Sequence, residues 1–429
     1  MSNGARTVRG LLVASGAVAL ALTTACSGSS NPASTSASGE KVTLEFAQWW
    51  EPELPAGALQ GVIDDFQKAN PNITVKLLSG PYASTKEQVV AGAASGTMSD
   101  VVGLDGAWVS DFTKQNAITD LSALMKDNGY DDSQLVSQVA IDGKTRMIPV
   151  VNFVYPLFTN DDLLSQAGVS APPSTRSQFM DDAKKVTALG NNTAGWVLPL
   201  SLDAPNGVQN DVMSWVWASG GSMLKDGKPD LTNKAVTSGT QFVKDLWDAG
   251  VVAQGSFTMK EQDKVEEFTN GRVGMMIDSL AHINLIKKEN PNLKFSISAI
   301  PAEDGYTGAR GIPYASWGIG IAENSKHKAE AWKLVSYLMS KDVNSKLSTL
   351  ANAFPGNKES TPDFSNSDPL FSKAFDIYKA GTPANEFVGL PVSEQLMRDY
   401  GEQLQLALNG DESVSDALKN AQAKWVAEF

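Results

Sequence analysis

"KVTLEFAQWWEPELPAGALQGVIDDFQKANPNITVKLL", residues 41–78, reads as a strand, a helix and a second strand. Val42, Leu44 and Phe46 alternate with Thr43 and Glu45, the period of a half-buried strand. Leu59, Val62, Ile63 and Phe66 then fall on one face at helical spacing, and "NPN" (Asn70 to Asn72) stops that helix. "ITVKLL" alternates again, "KEQVVAGAASG" predicts another helix, and "DVVGLD" predicts a short buried strand ending at Asp105. Strands alternating with helices imply an α/β fold with mainly parallel sheets. In such sheets ligands bind beyond the carboxyl ends of the strands. Trp50 and Glu51 are expected at one such end, with Trp49 packed inward, and Asp105 and Trp108 at another.

The chain of 429 residues is long enough for two or three ordinary domains. Its formal net charge is −13, with no Lys/Arg cluster, which argues against nucleic acid as a partner. Two histidines, His282 and His327, and one cysteine, Cys26, are too few for a His/Cys metal cluster, and no cofactor motif is visible.

Cys26 has a telling position. Arg6 and Arg9 precede an apolar run from Leu11 to Leu22, too short for a comfortable membrane span and suited to an export signal. With Thr24, Ala25 and Cys26 following, residues 1–25 resemble a bacterial lipoprotein signal, although Thr23 stands where that signal prefers Leu. The resemblance implies a lipid on Cys26 anchoring the protein to the outer face of the cell membrane. Residues 26–40 carry almost no charge or apolar bulk and are expected to be a flexible tether.

Further along, "FTNGRVGMMIDS" contains a buried strand ending at Asp278, and "YASWGIGIAEN" another with Trp317 near its start. Thr175 and Gln178 have capping-box spacing at the head of a helix. Trp332 and Trp425 lie on apolar helical faces and are expected in the core.

"LFTNDDLLSQAGVSAPPSTRSQFMDDAKKVT" (157–187) is similar to a stretch of the extracellular solute-binding proteins of bacterial ABC importers, the family that includes maltose-binding proteins. Thr159 replaces its usual Tyr and Gln178 its frequent Glu. "FTNGRVGMMIDS" (268–279), "HKAEAWKLVSYLMS" (327–340) and "LNGDESVSDALKNAQ" (408–422) resemble further stretches in the same order. The resemblance implies a periplasmic-binding-protein-like fold of two α/β lobes joined by crossing segments. Lobe one would be 41–153 plus 279–325, lobe two 154–278 plus 326–429, with a hinge near Asn152, Ser279 and Asn324. It also implies a monomer that binds a carbohydrate between the lobes and delivers it to the permease subunits of an importer.

A sugar needs a flat ring against its C–H face and polar groups around its hydroxyl rim. Trp50 with Glu51 is the preferred pair. Asp105 would bind a hydroxyl or else cap the next helix; Trp108 would line the cleft or merely start that helix. Of Trp215 and Trp217, which diverge on a helix, Trp215 is favoured. Asn152, Tyr155, Asp278 and Trp317 complete the expected ligand-binding set. "SLAH" (279–282) lacks the Trp that maltose-type members often carry, so the aromatic cage differs from theirs. The rivals are a polyamine in the same cleft, through cation–π and carboxylate contacts, and an exported glycosidase using carboxylate pairs.

Overall fold

The computed structural model describes residues 41–429; the expectations for the signal, the tether and Cys26 fall outside these. The first strands are Val42–Gln48 (β1), Ile73–Ser79 (β2), Val101–Leu104 (β3), Val139–Ile141 (β4) and Lys144–Val154 (β5). Leu157–Asn160 (β6), Ala194–Trp196 (β7), Leu224–Lys225 (β8), Lys228–Pro229 (β9) and Val273–Ile277 (β10) follow. Phe295–Ser298 (β11), Gly311–Ile321 (β12), Phe354–Pro355 (β13) and Thr382–Ala384 (β14) complete the set.

Two main sheets result. The larger runs β13-β5-β12-β3-β1-β2, with β14 beside β12 and β4 beside β5; the smaller runs β11-β6-β10-β7. Pairing is mixed rather than mainly parallel. β1 is parallel to β2 and β3, as the opening strand-helix-strand unit requires. The two long strands β5 and β12 run antiparallel to each other, and β12 runs antiparallel to β3. In the smaller sheet β10 is parallel to β7 but antiparallel to β6.

Helices cover these sheets because their apolar faces match. Ala58–Ala69 buries Leu59, Val62, Ile63 and Phe66, the four residues whose spacing predicts it. Thr175 caps Arg176–Thr187 by accepting from the Gln178 N–H, while the Gln178 side chain accepts from Ser174, one residue earlier than a capping box requires. Trp332 and Trp425 are buried in helices, as expected.

The chain passes between sheets at places other than those expected at Ser279 and Asn324. It goes from β5 to β6 through residues 154–157 and returns from β11 to β12 through 298–311. β11 belongs to the smaller sheet because it pairs with β6, although 279–325 was expected with the larger one. Beyond β12, the helices Lys328–Leu338 and Lys341–Ala351 pack on the larger sheet and β13 pairs with β5, so residues 326–355 stay on that side. The helix Pro369–Ala380 then packs on β11, and the helices Ser393–Asn409 and Val414–Val426 pack on the smaller-sheet side, against Lys234–Asp248. Local patterns predict β1, β2, β3, β10 and β12 but not which neighbour completes each ladder.

Candidate functional site

Between the two sheets lies a cleft of ≈ 440 Å³. From the larger sheet it is lined by Trp49, Glu53, Tyr82, Asp105, Phe153 and Trp317; from the other side by Asn206, Gln209, Asn210, Glu261 and His282; Tyr155 lies on the crossing.

The tryptophan pair is arranged opposite to the expected way. Strand β1 ends at Gln48, whose Oε1 accepts from the Glu51 N–H at 2.9 Å and so starts the short helix Trp50–Glu53. Alternation therefore stops one residue before it would choose between the tryptophans. Trp50 turns under the sheet end, fully buried, edge-on to Phe46 at 5.2 Å and stacked on Trp317 at 5.5 Å with an interplanar angle of 7°. Trp49 stays at the cleft wall against Tyr82 (5.2 Å) and Trp108 (5.6 Å). The acid swaps as well. Glu51 accepts from Ser79 and lies outside the cleft lining, whereas Glu53, one helical turn beyond Trp49, is in it.

Trp317 is where it was expected. A register break in β12 between Trp317 and Gly318 aims the indole, and a Cβ at Gly318 would collide with the Met147 sulfur and the Leu104 carbonyl. Its Nε1 donates to Glu53 Oε2 at 3.2 Å. Burial pushes the Glu53 carboxyl up to about 7, against the pull of His282 and the Trp317 bond. Asp105 also lines the cleft. Its Oδ1 accepts from the Ala107 N–H at 2.9 Å and its Oδ2 from the Tyr82 hydroxyl at 3.1 Å, and burial raises its carboxyl. Asp105 thus binds the turn that leads into Val109–Lys114 and lines the cleft.

Four other expected residues lie behind the surface. Trp108 backs Trp49 and Tyr82, consistent with its alternative as the start of Val109–Lys114. Asn152 accepts from the Ser316 hydroxyl at 2.8 Å, and Ser316 rather than Asn152 lines the cleft. Trp215 is fully buried among Phe179, Phe242 and Trp196, so neither it nor Trp217 lines the cleft; Trp217 donates to Glu386 instead. Residues two turns earlier take their place. Gln209 and Asn210, in the wide helical turn Val208–Val212, line the cleft while the helix carries its tryptophans inward.

Asp278 lies beneath the site, at the centre of a buried ionic chain. His282 Nδ1 lies 2.8 Å from its Oδ2, and Lys264 Nζ lies 3.4 Å from its Oδ1 and 3.2 Å from Asp211 Oδ2. Burial alone would raise Asp278, but the His282 and Lys264 charges hold it below its usual value. Burial pushes Asp211 up to about 8 against Lys264. Burial would lower His282, yet the Asp278 charge and bond hold it up to about 9, so the imidazole carries a proton at neutral pH. Glu261 is held by Asn206 Nδ2 at 3.3 Å and Asn210 Nδ2 at 3.4 Å. Glu261, Asp278 and His282 bring atoms within 4.8 Å of one another, the spacing of a metal site. With Lys264 and a protonated imidazole already neutralising Asp278, the arrangement is that of an ion-pair chain.

A two-sheet α/β protein whose interior cleft combines indoles, carboxylates and amides is built to hold a small polar solute. The chain belongs to the bacterial extracellular solute-binding protein family, whose model matches residues 51–345. A binding protein of Brucella abortus (strain 2308) is 31% identical over 299 residues, 68% of this chain and 71% of that one. Among solved structures, an ABC transporter solute-binding protein from Thermotoga lettingae bound with α-D-tagatose superposes with a TM-score of 0.77 at 22% identity, covering 90% of this chain and 99% of that one. Maltose-bound MalE3 of T. maritima gives 0.72 at 22% identity, covering 91% and 100%. The fold is the periplasmic-binding-protein fold. Membership of an extracellular family puts the protein's work outside the cytoplasm, and among the described residues no helix is long and apolar enough to cross a membrane.

His282, Glu261, Gln209, Asn210, Glu53 and Trp49 escaped the sequence reading. Two signals were present: Asp278 and His282 are four apart at a strand-to-helix junction, and Trp49 and Glu53 are one helical turn apart.

Proposed function

We propose that this chain captures a sugar or short oligosaccharide in the cleft and delivers it to the permease of an ABC importer, without catalysing a reaction on it. The observation that carries the reading is the Trp317 indole, fixed by Glu53 and facing the cleft beside Trp49. An indole supplies the flat apolar face, and Glu53, Asn210, Gln209 and Glu261 supply the polar rim that a pyranose needs. The sugar-bound relatives are in keeping with this. The protein acts as a monomer of two lobes. Crossings at 154–157 and 298–311 form the hinge, and the ligand favours closure because it touches both walls. A lipid on Cys26 would hold it at the membrane.

A thermal-shift screen of mono- and oligosaccharides tests the ligand class, since a ligand of the folded state alone raises apparent stability. Small-angle scattering tests closure: the radius of gyration shrinks at saturating sugar, and no change would overturn the hinge. Cys26→Ser releases the protein from the membrane fraction with ligand binding intact; retention in cells lacking the permease would overturn the anchor. The second reading, a polyamine, is motivated by the carboxylates of Glu53, Asp105 and Glu261 around the indoles. Affinity that collapses with added salt would favour it, because neutral sugars are little affected by screening.

A further inference from the structure

The charges and hydrogen-bond capacity of the cleft restrict which sugars it accepts, an inference that rests on the sugar reading above. Three carboxylates, Glu53, Asp105 and Glu261, line the cleft, against two basic residues, Lys260 and His282. His282 is already committed to Asp278 at 2.8 Å, and Lys264 beneath it is shared between Asp211 and Asp278. The lining thus carries three carboxyl groups against Lys260 and an imidazolium already bonded to Asp278, so its formal charge leans acidic.

Hydrogen-bond capacity points the same way by an independent route. Gln209 lines the cleft, only 4% exposed, and its Oε1 is buried with no donor among the described residues. Its Nε2 is spent on Asn210 Oδ1 at 3.0 Å. Glu261 receives two long bonds from asparagines, and Glu53 receives one from Trp317. Each carboxylate can accept more than this, with about four lone-pair sites apiece. The walls therefore offer surplus acceptors. A hydroxyl or an ammonium brings what is missing; a carboxylate brings only further acceptors and a like charge.

We infer that the cleft selects sugars by charge, admitting neutral and amine-bearing sugars and rejecting sugar acids, with Glu53 and Glu261 as the discriminating residues. Like charges brought together in a desolvated site repel strongly, and the penalty falls on the bound state of the acid alone.

The test is calorimetric titration of the full chain with matched triplets: glucose, glucosamine and glucuronic acid, the galactose and mannose counterparts, and the same series as β1,4-linked and α1,4-linked disaccharides. For each triplet that binds, the acid is expected to be weaker than its neutral parent by about tenfold or more, and the amine equal or tighter. Glu53→Gln and Glu261→Gln each preserve shape and remove the charge, and each is expected to narrow the acid penalty. An acid that binds as tightly as its neutral parent overturns the inference and leaves the sugar reading standing. A penalty unchanged in both folded variants overturns the assignment to these residues. Silence from every sugar overturns the sugar reading and this inference with it. Should either variant fail to fold by circular dichroism, the wild-type triplets decide alone.

Discussion

The tryptophans at the end of the larger sheet and those behind the smaller one are packed alike, but their edges meet different things. Trp49 and Trp317 are 4% and 3% exposed, and Trp215 is 0% exposed, so exposure does not separate a cleft wall from a core. Trp317 has a carboxylate on its Nε1 and open space on the cleft side. Trp215 has rings at 4.8 Å on two sides, and its Nε1 finds no partner among the described residues. A cleft-wall indole is thus recognised by a polar partner holding it at the edge of a void, not by being an aromatic near a strand end.

The sharpest way to break this comparison is to remove each indole in turn. Trp215→Ala empties a sealed cluster and is expected to cost about 3–5 kcal/mol of stability by chemical denaturation. The fraction that folds should bind sugar with wild-type affinity; weakened binding in a fully stable variant would return Trp215 to the site. Trp317→Ala is expected to lower sugar affinity by about 1–3 kcal/mol in calorimetry. Unchanged affinity would reduce both tryptophan groups to one structural role.

A third experiment compares the ionic chain with its surroundings. His282 holds its proton up to about 9 in the folded state against 6.5 in a free imidazole. The folded state therefore binds more protons than the unfolded state across that interval. This contribution to stability is complete below 6.5 and is lost as pH rises through about 9. Its size is on the order of 3 kcal/mol. Asp211 and Glu53, also raised, lose stability in the same direction but over lower intervals, up to about 8 and about 7. In His282→Gln the decline between pH 6.5 and 9 should be shallower in melts taken across that range; an identical slope would mean the imidazole is not protonated against Asp278.

The smallest expected effect separates the two neighbouring acids. Glu51→Gln should change sugar affinity by less than about 0.5 kcal/mol, because its carboxylate binds Ser79 away from the cleft. A larger loss would show that the turn after β1 had been placed the wrong way round.

That turn also shows how far the sequence was legible. The alternation of Val42, Leu44 and Phe46 predicts β1, and the spacing of Leu59 to Phe66 predicts the helix after it. Both depend on nearest neighbours along the chain. Tyr155, Asp105 and Trp317 were also within reach, because a strand end or a crossing is visible in one dimension. Trp50 and Trp49 exchanged places because Gln48, by binding the Glu51 N–H, ends the strand before its alternation could sort them. Asp278 was found, but not its role. Nothing in the sequence around Lys264 announces that its ammonium bridges Asp211 and Asp278. The lobe boundaries failed for a related reason: β11 and β13 join sheets by pairing with strands more than a hundred residues away.

The near-parallel stack of Trp50 on Trp317 has an optical consequence. Two indoles 5.5 Å apart at 7° are close enough for their electronic transitions to couple, so their ultraviolet circular dichroism belongs to the pair rather than to either ring. One member of the pair is sealed and the other forms the cleft wall. A solute settling on Trp317 would change the polarity around one half of this coupled pair and so shift a signal that both rings share. Occupancy of the cleft is therefore written into the protein's own absorption bands, where it can be followed without any attached label.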